Sequence, residues 1–362
     1  MKKKVLIKHL YIEKFIFFVC KNLNIPKKEI DNLCKSLIGS SLRGVDSHGV
    51  GLFPHYVKCI EGGRINNRPK MKYIKKMPSV GLIDADNGFG HSASYLACTK
   101  VINLAKINGI GLVGIINSTH YGAAGAYSLE IAKNNFLGFS FTHSDSFAIP
   151  FNGIKKFHGT NPYSFSAPIN NSKNLLVDFS STSIPWNKVL RAKDKNQRLQ
   201  KNVAFDQYGK STTNAKIAES LSPLGGELFG HKGFGLSSSI EILCGPLLGI
   251  AHGYRLLSMM GPDFSSYRNL GHILIAINIE SLTTRRKYYK NISNYINDLK
   301  LQKPKKNQRI LYPGQKEYEE EKLRKKYGIP FDIELQNEFL KIDKNYNLNY
   351  FNNLIECFNN SF

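Results

Sequence analysis

The sequence contains no apolar run long enough to cross a membrane. Its most apolar stretch near the N-terminus, Phe15–Cys20, covers six residues, whereas a membrane-spanning helix needs about 20. The initial lysines are followed by further charged residues and by no small-residue cleavage site, so the pattern of a secretion signal is missing. We therefore expect a soluble protein that acts in the cytoplasm and away from membranes.

Cysteine and histidine form neither metal-binding nor disulfide patterns. None of the six cysteines belongs to a C-x-x-C pair, and the ten histidines include no H-x-x-x-H or H-E-x-x-H pair. Several cysteines have apolar neighbours in sequence, so we expect free thiols in a reducing compartment and no metal ion. The cysteines are Cys20, Cys34, Cys59, Cys98, Cys244 and Cys357.

Acidic residues are few, and the excess of basic residues gives a formal net charge of +23. Such a charge is compatible with binding to a nucleic acid or to an anionic membrane. The lysines, however, are scattered in pairs, without an aromatic-interleaved basic patch or zinc-finger spacing. We expect no nucleic-acid partner, and a positive surface would help to attract an anionic cofactor or a carboxylate substrate.

The sequence also lacks the phosphate loop G-x-x-x-x-G-K-[ST] and the nucleophile motif G-x-S-x-G, which argues against nucleotide triphosphatases and hydrolases. The stretch GIGLVG, Gly109–Gly114, does match the G-x-G-x-x-G pattern of dinucleotide-binding Rossmann folds. That pattern requires a strand before it and a helix after it. Here a helical apolar pattern at 92–108 precedes the glycines and a β-branched run follows them. We predict that these glycines end a helix and begin a strand.

Hydrophobic periodicity predicts a mixed α/β protein whose helices and strands do not alternate regularly. The predicted helices lie within Tyr11–Leu42 with a break at Pro26, at 92–108, Tyr127–Lys133 and Leu236–Leu248, and from Thr283 onward. The predicted strands lie within 73–92 and at 111–117, Leu137–Thr142 and Leu274–Ile279.

Three polar clusters interrupt the apolar pattern: Asp46–Gly49, Asn117–Gly122 and Thr142–Asp145. The second and third follow predicted strands, and ligands of α/β proteins gather at the carboxyl ends of strands. His48 and His120 could each move a proton near neutral pH. Local sequence also allows each cluster to be a capping or turn segment without a chemical role.

Other polar residues are candidates for orienting or binding a ligand. Asp145 could orient an imidazole or fix its tautomer, and Ser144 could bind a phosphate or ribose oxygen. Lys232 lies in a glycine-containing turn, His231–Gly235, that we predict to open the helix at Leu236. Backbone N–H groups at a helix N-terminus, with a lysine beside them, suit an anion. The alternative is a solvated lysine in front of a buried helix.

Taken in order, seven segments resemble the type-2 malate/L-lactate dehydrogenase family, which includes ureidoglycolate and L-sulfolactate dehydrogenases. The similarity extends from about residue 10 to about residue 330. The segments are SLRGVDSHGVGLFPHY (41–56), NSTHYGAAGAYS (117–128), HSDSFAIPFNG (143–153), GTNPYSFSAP (159–168), HKGFGLSSSIEILCG (231–245), RNLGHILIAIN (268–278) and LYPGQ (311–315).

The resemblance implies an α/β fold that is not a Rossmann fold. It also implies an enzyme that transfers a hydride between NAD or NADP and a small carboxylate substrate of the malate or lactate type. It implies an inserted α/β domain for NAD(P) at 73–221. Residues 1–72 together with 222–345 would form a helical and mixed part for substrate binding and dimerisation, followed by a tail at 346–362. It also implies a homodimer.

The resemblance assigns roles to individual residues. His120 matches the proton-accepting histidine of the family. Asp145, a candidate from the local sequence alone, and His48 complete the predicted catalytic residues. The positions that line the substrate pocket match Ser47, His48 and Tyr56. The positions that bind the cofactor match Ser144, Asp178, Phe179, Ser180, Lys232, Gly314 and Gln315.

The chain departs from the family at Leu52, where the motif S-H-G-x-x-R places an arginine that pairs with the substrate carboxylate. A leucine cannot form that charge-assisted pair. Three consequences are open: His55 or a nearby lysine supplies the charge, the substrate is different, or activity is reduced in a chain that keeps the fold. Different substrates in this family include ureidoglycolate and cyclic imine acids.

Overall fold

A computed structural model describes residues 4–170 and 173–360, with side chains described up to residue 355. The thiol of Cys357 and the last two residues of the predicted tail therefore lie outside the described part. The five other cysteines are buried free thiols. Among the described residues, no helix is both long enough and apolar enough to cross a bilayer.

Helices and strands alternate only in part along the chain. The helices are α1 (His9–Asn22), α2 (Lys27–Leu42), α3 (Phe53–Glu61), α4 (Gly90–Asn108), α5 (Gly125–Lys133), α6 (Trp186–Asp194), α7 (Gly226–Cys244), α8 (Arg285–Leu301), α9 (Gln315–Tyr327), α10 (Ile333–Asn345) and α11 (Tyr350–Asn360). The strands are β1 (Val5–Ile7), β2 (Lys72–Met77), β3 (Val80–Asp84), β4 (Ile110–Ser118), β5 (Phe136–Thr142), β6 (Tyr163–Asn170), β7 (Lys173–Phe179), β8 (Ala204–Phe205), β9 (Ser220–Leu221), β10 (Leu270–Asn278) and β11 (Ile329–Phe331).

A mixed seven-stranded sheet in the order β2-β3-β4-β10-β5-β6-β7 positions the polar clusters. Strand β10 pairs antiparallel with both β4 and β5, so β4 and β5 run in the same direction. Leu270 pairs with Ser118 at the end of β4, and His272 pairs with Thr142 at the end of β5. The carboxyl ends of β4 and β5 therefore meet the start of β10 at one edge of the sheet.

The GIGLVG glycines end α4 and begin β4, as the sequence predicts. Gly109 follows the last residue of α4 with a φ of +79°, a conformation that favours glycine. A Cβ atom at Gly111 would lie 2.4 Å from the carbonyl oxygen of Val101, and one at Gly114 would lie 2.6 Å from Leu248 Cδ2. These two glycines let neighbouring elements approach the strand closely.

The first and last helices share one hydrophobic core. Phe15 of α1 packs against Phe339 of α10 and Phe351 of α11, with ring centroids 5.2 and 5.3 Å apart. Strand β1 pairs with β11 beside this core. The region 346–362, described above as a tail, thus contributes a helix whose Phe351 is fully buried.

The sheet includes a strand from outside 73–221. Strand β10 comes from 222–345, yet it lies between β4 and β5. Helix α7 covers it, because Ile240 and Cys244 share a buried cluster with Ile273 of β10 and Phe141 of β5. The division of the chain at residues 72 and 221 stays a prediction.

Helix α7 begins at Gly226 and not at Leu236. Lys232 therefore lies inside the helix, and the prediction that it sits at a helix N-terminus was wrong. Glycines hid the helical pattern in the sequence because they carry no apolar side chain. Gly233 is required for packing, since a Cβ atom there would lie 2.3 Å from the backbone nitrogen of Leu224.

Candidate active site

Three charged or titratable residues come to one edge of the sheet because of the strand directions. His120 follows β4, Asp145 follows β5, and Arg268 lies just before β10. Since β10 runs against both neighbours, its first residues lie beside the last residues of β4 and β5. The sequence predicted the first two positions but not their juxtaposition with Arg268.

His120 lies among side chains from the N-terminal helical region. The hydroxyl of Tyr56, on α3, is 2.6 Å from His120 Nδ1. The rings of His48 and His120 are stacked, with centroids 5.8 Å apart and an interplanar angle of 20°. Ser47 Oγ lies 2.9 Å from His48 Nδ1. The structure therefore brings together the four residues that the sequence placed at a proton-transfer site and its substrate pocket.

His272 joins the two strand ends behind this site. Its Nδ1 lies 2.7 Å from Thr142 Oγ1 and its Nε2 lies 2.9 Å from Ser118 Oγ. The ring is fully buried and stacks on Tyr121 with centroids 4.5 Å apart. Because each hydroxyl can donate or accept, the imidazole can bridge β4 and β5 in its neutral form.

The site keeps its imidazoles neutral. Burial lowers the pKa of His120 well below its ordinary value, and His48, His91 and Arg268 lower it further. Burial lowers the pKa of His48 to about 4. Burial raises the pKa of Tyr56 well above its ordinary value, so its hydroxyl stays protonated. At neutral pH, His120 is therefore a base with a free lone pair, next to a hydroxyl that can donate or accept.

Asp145 forms a buried ion pair with Arg268. Its Oδ2 accepts a hydrogen bond from the backbone N–H of Met259 at 3.0 Å. Within the described part of the chain, its hydrogen bonds include none with an imidazole. The role of orienting a histidine therefore has no support in these contacts, and Asp145 orients an arginine.

Arg268 is the residue of this site that sequence reasoning missed. Its Nε donates to the carbonyl oxygen of Leu257 at 2.9 Å and its Nη2 donates to Asp145. Its charge lowers the pKa values of His120 and His55, so it acts on both imidazoles. The segment RNLGHILIAIN contained the signal, an arginine directly before an apolar strand, but the pairing of that strand cannot be read from sequence.

His55 lies beside Tyr56 on α3. Its pKa is lowered to about 4 by burial first, and then by Arg268 and Arg64. Its ring packs edge-on against Phe264 with centroids 6.0 Å apart. A neutral imidazole cannot replace the charge of an arginine, so His55 does not supply the cation that Leu52 fails to provide.

A cavity of about 400 Å³ lies between the end of β7 and the start of α9. Its wall includes Ala123, which belongs to the loop that carries His120. Three predicted cofactor-binding residues, Asp178, Phe179 and Gly314, also line it. The cavity and the proton-transfer site therefore share one loop.

Gln315, at the start of α9, presents a polar atom that fits a ligand. Its Oε1 is buried and has no hydrogen-bond partner among the described residues, while its Nε2 donates to Glu319 at 2.9 Å. A buried acceptor without a donor is costly, and a nucleotide carries hydroxyl and amide donors that could pair with it. This atom agrees with the predicted cofactor role of Gln315.

The remaining predicted cofactor residues lie apart from that cavity wall. Ser144 Oγ accepts a hydrogen bond from the backbone N–H of Thr160 at 3.0 Å, and Ser180 Oγ donates to the carbonyl oxygen of Thr182 at 3.2 Å. Lys232 is exposed on α7. Among the described residues, no group of three or more His, Cys, Asp or Glu side chains is placed to hold a metal ion.

Comparisons with known proteins agree with this arrangement. Residues 7–339 match the model of a family described as malate/L-lactate dehydrogenase. The chain is 33% identical to malate dehydrogenase from Pyrococcus abyssi, with 91% of each chain covered. It is 29% identical to ureidoglycolate dehydrogenase (NAD(+)) from Escherichia coli K12, over 90% of this chain and 92% of that protein.

Solved structures confirm the expected fold. The crystal structure of malate dehydrogenase from Entamoeba histolytica superimposes with a TM-score of 0.90 and 27% sequence identity, covering 96% of this chain and 99% of that one. The mixed strand order is the fold of these dehydrogenases and not a doubly wound Rossmann sheet. Related proteins carry NAD(+) or NADP(+) in their names.

Proposed function

The chain belongs to the malate/L-lactate dehydrogenase family, and from that membership we propose that it interconverts a small 2-hydroxy acid and its 2-oxo acid with NAD or NADP. The observation that carries this proposal is the contact of His120 with Tyr56, at the sheet edge that also holds the buried cation Arg268. His120 can move a proton there, and Arg268 can bind a carboxylate.

His120 is the base in oxidation and, once protonated, the acid in reduction. In the structure, His120 Nδ1 accepts a hydrogen bond from the backbone N–H of Gly122 at 3.4 Å, which places the proton of the neutral ring on Nε2. To take the hydroxyl proton of the substrate on Nε2, His120 must instead carry its proton on Nδ1, give up the contact with Gly122 and donate to the Tyr56 hydroxyl 2.6 Å away. Tyr56 can accept that hydrogen bond or donate one, so it supports either tautomer. Proton transfer of this kind typically contributes about 10²–10⁴-fold to a rate.

Arg268 is the cation that we assign to the substrate carboxylate. Asp145 and the Leu257 carbonyl hold its Nη2 and Nε, and its Nη1 takes part in none of the hydrogen bonds formed by described residues. A carboxylate bound there would raise the depressed pKa of His120, because a nearby negative charge favours the imidazolium. Arg268 would thus perform the binding role that Leu52 cannot.

The cofactor accepts the hydride in oxidation and supplies it in reduction. Asp178, Phe179 and Gly314 would hold it in the cavity. Gln315 does not line the cavity, and its buried Oε1 would have to turn toward the cofactor to accept a hydrogen bond. Ser144 would contact it from the sheet edge. A substrate between His120 and this cavity would have its reacting carbon positioned and shielded from water.

We also propose a homodimer that uses the exposed face of α7. Leu228 and Ile242, four helical turns apart on one face, are 74% and 57% exposed, and Leu247 beyond the helix is 60% exposed. Large apolar side chains in such a row are typical of an interaction surface. Light scattering should give about twice the chain mass of 40.8 kDa. A monomeric mass at micromolar concentration would contradict this proposal.

The activity is tested by following absorbance of the reduced nicotinamide with both cofactors and a panel of 2-oxo and 2-hydroxy acids. Malate and lactate are the expected substrates, and ureidoglycolate and a cyclic imine acid form the other arms of the panel. His120→Ala should remove nearly all turnover, whereas the control His9→Ala, on the distant helix α1, should leave it unchanged. Full activity of His120→Ala would overturn the assignment of the base.

A further inference from the structure

A buried carboxylate ties several segments together behind the sheet edge. Glu241 of α7 is 3% exposed. It accepts hydrogen bonds from Asn161 Nδ2 at 2.7 Å and from the backbone N–H of Gly253 at 2.8 Å. Its Oε1 also lies 3.5 Å from His143 Nδ1. These three groups come from different segments, and the two hydrogen bonds fix Asn161 and Gly253 relative to α7.

The tautomer of neutral His143 is set by its other contact. Its Nε2 accepts a hydrogen bond from the backbone N–H of Gly271, at 2.8 Å. The proton of the neutral ring therefore lies on Nδ1, which faces Glu241. Asn161 and Gly253 donate hydrogen bonds to the carboxylate, whereas His143 Nδ1 only lies near it and has no hydrogen-bond partner among the described residues. The residue after His143 is Ser144, a predicted cofactor contact.

Glu241 also determines which way the amide of Asn161 points. The carboxylate and the carbonyl oxygen of Ser237 can only accept, and both lie near Asn161 Nδ2, at 2.7 and 3.1 Å. The amide NH2 must therefore face them, which leaves Oδ1 to accept the backbone N–H of Ser144 at 3.2 Å. Asn161 is fully buried, so no solvent is available to replace either contact.

We propose that Glu241 is a positioning residue of the dehydrogenase site, which holds Ser144 in its cofactor-binding position through the fixed orientation of Asn161. The inference rests on the proposed function, in which Ser144 contacts NAD(P). Glu241 itself touches neither cofactor nor substrate. Its effect should therefore be seen in the affinity for the cofactor more than in the rate of the bound complex.

Glu241→Gln is the first test. Glutamine offers one amide oxygen where Glu241 offers two carboxylate oxygens, so its NH2 group must oppose either the NH2 of Asn161 or the backbone N–H of Gly253. If Asn161 turns to relieve this conflict, its NH2 faces the backbone N–H of Ser144 and that hydrogen bond is lost. We expect the Kd for NADH or NADPH, measured by fluorescence without any acid substrate, to rise about tenfold, the effect of one lost hydrogen bond. At saturating cofactor, kcat should change less than about threefold.

A second substitution should partly restore binding. Adding Asn161→Asp to Glu241→Gln places a carboxylate at 161 that accepts from the new amide and from the backbone N–H of Ser144, but it removes the donor to the Ser237 carbonyl. We therefore expect the Kd of this double variant to lie between the value of Glu241→Gln and the original value. Asn161→Asp alone places two buried carboxylates together and should weaken cofactor binding.

Asp343→Asn is the matched control. Asp343 is also a buried carboxylate that accepts two backbone hydrogen bonds, but it lies among the C-terminal helices. The substitution Asp343→Asn should lower the Tm of the protein and leave the Kd for NADH or NADPH unchanged. The inference would be overturned if Glu241→Gln lowers the Tm but leaves the Kd unchanged. It would also be overturned if the double variant binds the cofactor no better than Glu241→Gln. A native chain that binds neither NADH nor NADPH would overturn the proposed function, and the inference with it.

Discussion

At the scale of single residues, the proposed base His120 lies in an environment that works against its own protonation. Burial and the charge of Arg268 both lower its pKa. Burial first, and then Cys59, raise the pKa of Tyr56 and keep its hydroxyl protonated. A neutral imidazole is what oxidation of a hydroxy acid requires, whereas reduction of the oxo acid requires the imidazolium. The two directions should therefore respond to pH with opposite signs.

The pH profile tests this environment. For oxidation, kcat/KM should be constant from pH 8 to about 6.5, the ordinary histidine value, and should fall only at lower pH, because protonation of His120 occurs below that value. For reduction, kcat/KM should rise as the pH falls from 8 through 6.5 to lower values, because a larger fraction of His120 is then protonated. Initial rates in both directions give the two midpoints. An oxidation midpoint at or above 6.5 would show that burial does not control the base.

Leu52 offers a second test at this scale. It lies four residues before Tyr56 on the turn that begins α3, so the two side chains share a face of the helix. If Arg268 binds one carboxylate, Leu52→Arg should add a cation for a second one. We expect KM to fall about tenfold for malate, the effect of one charge-assisted contact, and less for lactate.

Leu52→Met, which keeps an apolar side chain, is the control for Leu52→Arg and should leave both KM values unchanged. If KM for malate is unchanged or higher in Leu52→Arg, the substrate carboxylate does not approach this turn. The binding role would then belong to Arg268 alone.

At the scale of elements, the helices and strands that local patterns predicted are present, but strands β1, β6, β7, β8, β9 and β11 and helix α6 were not predicted. The break at Pro26 separates α1 from α2, and the end of α4 at Gly109 follows from its glycine. The predicted start of α7 was wrong because its glycines, among them Gly233, have no apolar side chain that would reveal the helical periodicity. The role of Arg268 was missed for a different reason: it depends on β10 entering the sheet between β4 and β5, a long-range pairing that periodicity does not encode.

Gly111→Ala tests whether the GIGLVG motif is structural. The added Cβ would lie 2.4 Å from the Val101 carbonyl oxygen, so α4 and β4 would have to separate. We expect the free energy of unfolding to fall by about 1–3 kcal/mol, the usual range for overpacking. The Kd for NADH or NADPH should be unchanged, as should the KM for the acid.

Gly235→Ala is the matched control for Gly111→Ala, because a Cβ there meets nothing within 4 Å inside the chain. Gly235 lies between Leu228 and Ile242 on the proposed dimer face, so the mass of this variant is compared with that of the native chain by light scattering. Denaturant unfolding and cofactor titration should show no loss for this variant. If Gly111→Ala weakens cofactor binding without loss of stability, the motif contacts the cofactor after all.

At the scale of the whole molecule, the site forms where the two cores meet. His48 and Tyr56 extend from the helical core built by the first and last helices, whereas His120 and Arg268 come from the edge of the sheet. Sequence reasoning could identify His48, Tyr56 and His120, but it missed Arg268. It could not place the two cores against each other, because that contact depends on the side chains of both.

This junction has a consequence for stability, because it buries several neutral histidines. The pKa is lowered to about 3 for His91 and His272 and to about 4 for His48, in each case first by burial. In the unfolded chain each would titrate near 6.5. Between these values the unfolded state binds more protons than the folded state. The stability that is present above pH 6.5 should therefore be lost as the pH falls toward 4.

His91→Phe isolates one of these contributions. His91 is fully buried, packs edge-on against Tyr56 at 4.9 Å, and has no hydrogen-bond partner among the described residues for either ring nitrogen. A phenyl ring can keep that packing and breaks no hydrogen bond, so the free energy of unfolding at pH 7.5 should be equal or higher. In urea unfolding at pH 7.5, 6, 5 and 4, the variant should lose less stability than the native chain. If the variant loses as much unfolding free energy as the native chain, groups other than His91 cause the acid sensitivity.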